Sequence, residues 1–115
     1  MISKKYHSDK TVRAVQEYME LHYESALSIV QLSQQFGVSN RTLIRRFKDA
    51  AGVTPSDYLQ EVRLDAASKY LVQSTKTIDE ITHAIGYSDI SSFTKLFKRK
   101  MSLSPSSYRA RYKTA

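Results

Sequence analysis

Two segments of the sequence concentrate side chains that can bind anions. Residues 39–52 hold four basic residues and one acidic residue, a net charge of +3; residues 90–115 hold seven basic residues and no acidic one, a net charge of +7. Arg41, Arg45 and Lys48 recur at intervals of four and three, so a helix would bring them to one face. Such side chains donate to phosphate oxygens and base edges. They favour a polyanion partner, although a basic surface that only keeps a protein in solution has the same composition.

The other residue types that could do chemistry form no catalytic or metal site. The 115-residue chain has no cysteine, which excludes disulfides, thiolate metal ligands and thiol nucleophiles. Its three histidines, His7, His22 and His83, lack the spacing of metal ligands. Asp79 and Glu80 precede His83, but the field at a helix N-terminus explains two acidic residues there. We therefore predict neither an enzyme nor a bound cofactor or metal.

The composition indicates a small all-α domain. Hydrophobic residues make up 41% of the chain and charged residues 25%, as in globular proteins, and three glycines with two prolines are too few for many β-turns. No apolar stretch approaches the roughly 20 residues of a membrane-spanning helix, and the N-terminus does not resemble a signal peptide. We expect no membrane association and a cytoplasmic location, at the nucleoid.

The sequence contains a duplicated unit of about fifty residues. Residues 28–48 and 77–98 share a pattern of apolar residues and glycine. In this pattern Ile29, Leu32, Phe36, Gly37, Leu43 and Phe47 correspond to Ile78, Ile81, Ile85, Gly86, Phe93 and Phe97. Residues 53–58 and 103–108 correspond in the same way. Because only two copies are present, the pattern is a duplication and not a solenoid array.

Capping signals in each half mark where helices begin. Ser28 with Gln31, and Thr77 with Glu80, have the spacing of capping boxes, in which the hydroxyl accepts from a backbone N–H and the longer side chain reaches back. A hydroxyl residue also precedes each proline, as at a helix N-cap. With the apolar spacing, these signals predict seven helices, over residues 10–23, 28–36, 40–51, 55–73, 77–85, 89–101 and 105–112.

Each half has the pattern of a helix-turn-helix. A short helix ends at Gly37 or Gly86, where a left-handed residue closes it, and a turn of three or four residues leads to a longer helix. In the longer helix the aromatic and aliphatic residues oppose a face of Arg, Lys, Ser and Thr. An α-helix fits the DNA major groove, where such side chains reach base edges and phosphates. The alternative is an ordinary helical hairpin with a solvated face.

The sequence resembles the DNA-binding domain of the AraC/XylS family of bacterial transcription regulators over about residues 8–113. The second half carries the characteristic stretch IDEITHAIGYSDISSFTKLFKRKMSLSPSSYR. It includes a Gly-aromatic pair, a Ser-Phe before a basic Phe-Lys run and a Pro-x-x-Tyr-Arg ending. The first half contributes RTLIRRF, followed by VTPSDYLQEVRLDAA.

The resemblance implies two helix-turn-helix subdomains, residues 8–54 and 74–113, joined by a linker helix over residues 55–73. It implies that the domain binds double-stranded DNA as a monomer, with helices 40–51 and 89–101 in successive major grooves. Carried over position by position, the base-reading residues are Arg41, Ile44, Arg45, Ile90, Ser91, Ser92 and Lys95. We expect phosphate contacts from Ser39, Asn40, Arg46, Lys48, Thr94, Lys98 and Arg99.

The resemblance also implies a transcription regulator, usually an activator that contacts RNA polymerase, with repression as the other mode. We expect the chain to contain no sensor domain, and a full-length protein to dimerise through such a missing domain. A helical protein–protein adaptor and a nonspecific or RNA-binding protein are the competing interpretations, because they share much of this composition.

Several residues have two interpretations. Ile44 and Ile90 either contact thymine methyl groups or pack within the domain. Arg46 points sideways on its helix and either contacts phosphate or forms an internal ion pair. The basic residues near the C-terminus fit phosphate contacts or solubilising charge, and they are Arg99, Lys100, Arg109, Arg111 and Lys113.

Overall fold

The computed structural model describes residues 4–113 and consists, over that range, of seven α-helices with no β-strand. They are α1 (Lys10–Leu21), α2 (Ile29–Gln35), α3 (Asn40–Ala51), α4 (Pro55–Gln73), α5 (Ile78–Ala84), α6 (Ile90–Met101) and α7 (Pro105–Tyr112). The predicted all-α class and order of helices are confirmed. The predicted end of α1 is wrong by two residues, because His22 leaves the helical conformation while its N–H still donates to the Tyr18 carbonyl.

Side-chain caps start the helices where the sequence predicts them. At α5 the Thr77 hydroxyl accepts from the Glu80 N–H at 3.1 Å, and the Glu80 carboxylate accepts from the Thr77 N–H at 2.9 Å. At α2 the Ser28 hydroxyl accepts from the Gln31 N–H at 3.1 Å, but within residues 4–113 no bond returns from the Gln31 side chain. The predicted capping box of Ser28 and Gln31 is therefore only half formed, because a neutral amide is drawn to a helix N-terminus less strongly than a carboxylate.

The described chain divides into two compact units after Val62, within α4. In the first unit α1 and α2 both pack on α3. The buried core consists of Val12, Val15, Met19, Leu32, Leu43, Phe47, Ala51, Val53 and Tyr58. Phe47 is fully buried, and its ring meets that of Tyr58 edge to face with 5.5 Å between centroids. Burying one such side chain stabilises by roughly 1.5–3 kcal/mol, so this face of α3 is held inward.

A polar contact ties α4 to α1 within the first unit. The Tyr58 hydroxyl donates to Glu20 Oε2 at 2.5 Å, and Lys5 Nζ donates to Glu20 Oε1 at 2.8 Å. Burial first, and then the hydrogen bond to the Glu20 carboxylate, raise the pKa of Tyr58. The hydroxyl therefore remains a donor across the physiological pH range.

The second unit buries the corresponding residues of the repeat. Its buried apolar residues are Leu64, Ala67, Leu71, Ile81, Ile85, Phe93 and Phe97. The Phe97 ring lies 5.7 Å from that of Phe93 and meets Tyr108 of α7 edge to face at 5.4 Å, centroid to centroid. Phe93 and Phe97 occupy the repeat positions of Leu43 and Phe47, so both long helices turn the same face inward.

Two basic side chains hold α7 to the end of α4. Arg109 donates from Nε to the Leu71 carbonyl at 3.0 Å and from Nη2 to the Ser74 carbonyl at 3.3 Å; Lys113 Nζ donates to the Ser74 carbonyl at 2.6 Å. Carbonyls at a helix C-terminus attract cations. Arg109 and Lys113 therefore have a structural role that the sequence interpretation of phosphate contacts or solubilising charge did not include.

Across residues 4–113, none of the helices is both long enough and apolar enough to cross a membrane.

Candidate nucleic-acid interface

A glycine turn with the same hydrogen bonds directs the chain into the long helix of each unit. In the first unit the Val38 N–H donates to the Ser33 carbonyl at 3.0 Å, and in the second the Tyr87 N–H donates to the Thr82 carbonyl at 3.0 Å. Gly37 and Gly86 precede these donors with φ of 69° and 96°. A side chain is disfavoured in this left-handed region, and glycine removes that cost. The predicted left-handed turns are confirmed.

The N-terminus of α3 uses two of the predicted phosphate-contacting residues internally. The Ser39 hydroxyl accepts from the Thr42 N–H at 3.1 Å and donates to Thr42 Oγ1 at 2.9 Å. The buried Ser33 hydroxyl of α2 donates to Asn40 Oδ1, which ties the two helices of the turn together. These hydrogen bonds fix the start of α3. A DNA phosphate at this end of the helix would therefore bind groups that are not already bonded, such as backbone N–H groups.

The outward face of α3 is a row of exposed side chains that we call the α3 stripe: Arg41, Ile44, Arg45 and Lys48. Their spacing of three, four and seven places them on one side of the helix. Among residues 4–113, Arg41, Arg45 and Lys48 make no side-chain hydrogen bond or ion pair with one another or with the rest of the chain. The Ile44 side chain is 41% exposed, so it lies on this surface and not in the core.

The same positions of α6 form the α6 stripe: Ser91, Thr94, Lys95 and Lys98. Thr94 is half-buried and the other three are exposed. Ile90, which is 41% exposed, and Ser92 and Arg99 lie beside it at the surface. The α6 stripe therefore offers two ammonium groups and hydroxyls where the α3 stripe offers two guanidinium groups, one ammonium group and an aliphatic side chain.

A carboxylate lies among the predicted base readers of α6. Asp89 caps the helix, accepting from the Ser91 N–H at 3.3 Å, from the Ser92 N–H at 3.1 Å and from the Ser92 hydroxyl at 2.6 Å. The Ser92 hydroxyl bond, followed by its backbone bond, lowers the pKa of Asp89, so this group stays ionised. Asp89 is not among the predicted site residues, although aspartate before a helix is an N-cap signal.

Arg46 faces away from the α3 stripe and is bound to Asp9. It donates from Nε to Asp9 Oδ2 at 3.0 Å and from Nη2 to Asp9 Oδ1 at 2.8 Å. Burial raises the pKa of Asp9, but the hydrogen bonds from Arg46 and from the Val12 N–H outweigh this effect and lower it overall. Of the two roles left open for Arg46, the structure has the internal ion pair.

The described residues contain no arrangement of three or more His, Asp or Glu side chains that could hold a metal ion. His83 Nδ1 lies 2.9 Å from the carbonyl of Asp79, one helical turn earlier, and His22 stacks on Tyr18. These contacts are local to their helices. The unpaired cations of α3 and the basic face of α6 are thus the chemically distinctive surfaces of the two units.

The two units share one arrangement. Each has a short helix, a glycine turn and a long helix with a basic outer face, which defines the double helix-turn-helix class. Comparison with known proteins agrees: residues 32–111 match the family described as helix-turn-helix domain. Over 98 residues, 85% of this chain, it is 36% identical to the HTH-type transcriptional activator RhaS of Pectobacterium atrosepticum. The chain spans 35% of the length of that relative.

Two solved structures are similar over most of their length. A transcriptional regulator of the AraC-type DNA-binding-domain-containing proteins from Chromobacterium violaceum is 32% identical, with a TM-score of 0.84 and coverage of 89% of this chain and 91% of that one. The DNA-binding domain of the global transcriptional factor AdpA, in complex with a target DNA, is 26% identical, with a TM-score of 0.85 and coverage of 90% and 94%. The chain belongs to the AraC-type family of helix-turn-helix domains, whose shared activity is DNA binding and not catalysis.

Proposed function

We propose that this domain binds specific sequences of double-stranded DNA by inserting α3 and α6 into adjacent major grooves. The observation that carries the proposal is the α3 stripe, because three cationic side chains stand exposed there without an internal partner. Unpaired guanidinium and ammonium groups on one helix face suit a ligand that offers several negative charges along the groove. The solved complex of the AdpA domain with its target DNA supports DNA binding by this fold.

The two stripes have different chemistry, which suggests a division of labour. Arg41 and Arg45 can each donate two parallel hydrogen bonds to a guanine, the commonest specific contact in the major groove. Ile44 lies between them and offers an apolar surface for a thymine methyl group. On α6, Lys95 and Lys98 are flexible point charges that suit phosphates better than bases. We therefore assign most base recognition to α3 and a larger share of backbone contact to α6.

The names of the relatives support a role for the complete protein. RhaS is named as a transcriptional activator, and AdpA as a global transcriptional factor. We propose that this domain belongs to a bacterial transcription regulator that activates by contact with RNA polymerase, repression being the second mode. The domain itself would bind as a monomer in the cytoplasm, and any dimerisation would come from another domain.

Selection on a random duplex library, followed by salt titration, tests the proposal. Two enriched boxes about one helical turn apart, with high affinity relative to a scrambled duplex, are the expected result. A logarithmic salt slope of roughly −0.9 per neutralised phosphate gives the number of backbone contacts. Equal, salt-sensitive binding to every duplex would reduce the function to nonspecific polyanion binding. Failure to bind any duplex at low salt would refute it and favour a protein–protein adaptor.

A further inference from the structure

The segment that precedes α1, residues 4–9, is bonded to both α1 and α3 within the first unit. The Lys4 N–H donates to the Ala51 carbonyl at the end of α3, at 2.7 Å. The Lys4 carbonyl accepts from Gln16 Nε2 at 2.9 Å, and the His7 carbonyl accepts from Arg13 Nη1 at 2.6 Å. The segment is therefore tied to the long helix at one end and to α1 along its length.

Gln16 anchors this segment from inside the unit. Its side chain is fully buried, and its Oε1 lies 2.9 Å from His7 Nε2 while its Nε2 donates to Lys4. His7 Nδ1 accepts from the Asp9 N–H at 3.2 Å, which leaves Nε2 as the donor to Gln16. Both polar ends of the buried Gln16 amide have a partner. The backbone of Asp9 is joined to this network because its N–H donates to His7.

Asp9 turns its carboxylate from this network toward α3. This carboxylate accepts two hydrogen bonds from Arg46 of α3 and a third from the Val12 N–H at 3.0 Å. It therefore caps α1 and is also bonded to α3. Planar, bidentate pairs of this kind fix orientation as well as distance. Arg46 is the chain neighbour of Arg45, the central cation of the α3 stripe.

The corresponding position of α6 in the second unit carries no arginine. Fifty residues after Arg46 the sequence has Leu96, which is half-buried in α6. The long helix of the first unit is thus held partly by an ion pair, whereas an apolar side chain occupies the same place in the second. The ion pair is therefore found in the unit to which we assign most base recognition.

We propose that Asp9 is a positioning residue for base recognition, acting through Arg46 to set the angle at which α3 presents its stripe. This inference rests on the function proposed above. Bidentate contacts with base edges tolerate little displacement, whereas lysine contacts with phosphate adjust to it. Asp9 therefore determines sequence specificity more than general affinity for DNA.

The test compares Asp9→Asn with Asp65→Asn. The first variant keeps an N-cap acceptor for α1 but removes the charge that binds Arg46. The control removes the same charge from an exposed pair, in which Asp65 Oδ2 lies 3.2 Å from Lys69 Nζ. Arg46→Lys, which retains the charge and loses the fork, is a second variant that alters the pair without touching the α1 cap. Thermal unfolding of each variant reports whether it is folded.

Dissociation constants are measured on the selected duplex and on two duplexes in which one box or the other is scrambled. The box whose scrambling abolishes the effect of Arg45→Ala is the one that α3 reads. Asp9→Asn and Arg46→Lys should each weaken binding to the intact duplex by roughly 2- to 30-fold, the range of couplings carried through side-chain networks. They should have little effect when the α3 box is scrambled, and Asp65→Asn should behave like the wild type.

Equal weakening on all three duplexes would overturn the positioning role, since it would indicate only a loss of folded protein. Wild-type affinity for both folded variants would overturn it as well. A library selection that enriches no sequence for the wild-type domain is a different failure, because it refutes the proposed function itself. Recovery of two boxes with no box-dependent effect of Asp9→Asn refutes this inference alone.

Discussion

We predict that Ser102→Gly stabilises the protein and that Gly52→Ser destabilises it. These residues occupy the same place in the repeat, at the C-cap of each long helix, and both are left-handed: φ and ψ are 84° and −5° at Gly52 and 67° and 0° at Ser102. In each case the cap N–H donates to the carbonyl four residues earlier, that of Lys48 or Lys98, at 2.9 Å. The backbone hydrogen bond is therefore the same, and the side chain is the difference.

The magnitude follows from two opposing terms. A residue with a Cβ loses about 1–2 kcal/mol in the left-handed conformation, which glycine does not. Glycine loses more entropy on folding, and this offsets about 0.4–1 kcal/mol of the gain. Apart from the adjoining chain, no described residue has an atom within 4 Å of the place that a Cβ would take at Gly52, so contact with other residues adds nothing. Each substitution should change the free energy of unfolding by about 0.5–1 kcal/mol, with opposite signs.

Urea unfolding monitored by circular dichroism measures both changes, and the double variant should lie close to the wild type because the sites are independent. The thermal midpoint should shift by a few degrees, at about 4–8 °C per kcal/mol for a domain of this size. Affinity for DNA should not change, since neither residue belongs to a stripe. A stabilising Gly52→Ser or a destabilising Ser102→Gly would refute the reasoning.

Three further predictions concern charged side chains. Arg45→Ala should weaken binding to the selected duplex by roughly 1–3 kcal/mol if the residue reads a base, whereas Lys69→Ala, which belongs to neither stripe, should not. An equal loss for Arg45→Ala on scrambled DNA would assign the residue to backbone contact. The folded-state pKa of Asp9 is lowered, so its stabilising effect is complete above the unfolded value of about 4 and is lost as the pH falls further. Acid titrations of the free energy of unfolding should therefore be flatter for Asp9→Asn than for the wild type, and parallel curves would contradict this. Arg109→Ala should lower the free energy of unfolding by about 1–3 kcal/mol, because the Leu71 carbonyl loses its side-chain donor and the Ser74 carbonyl keeps only Lys113. Unchanged urea unfolding would count against it.

Much of the fold is predictable from the sequence because its signals are local. The capping box of Thr77 and Glu80 spans four residues, and the left-handed turns at Gly37 and Gly86 follow from residues adjacent in the chain. The buried face of each long helix follows from the helical period alone, as Phe47 illustrates. Such features require no knowledge of what the rest of the chain does.

The features that the sequence leaves open or misses join residues distant in the chain. Arg46 and Asp9 are 37 residues apart, and Arg109 and Leu71 are 38 apart, so no periodic pattern links the partners. In each pair the arginine is bonded within the protein, whereas composition alone assigns it to the DNA surface. The assignment of base-reading residues stays a prediction, because it depends on a partner that only binding experiments supply.

The absence of internal partners for the α3 stripe gives the domain a surface that can change without loss of fold. The side chains of Arg41, Arg45 and Lys48 contribute no hydrogen bond within the described residues, so their replacement should leave the free energy of unfolding nearly unchanged. A library randomised at these positions would vary operator preference on a constant scaffold. Arg46 and Asp89 should not be randomised, because altering either would lower the free energy of unfolding. The same separation offers natural selection a low-risk route to new target genes after the domain is copied.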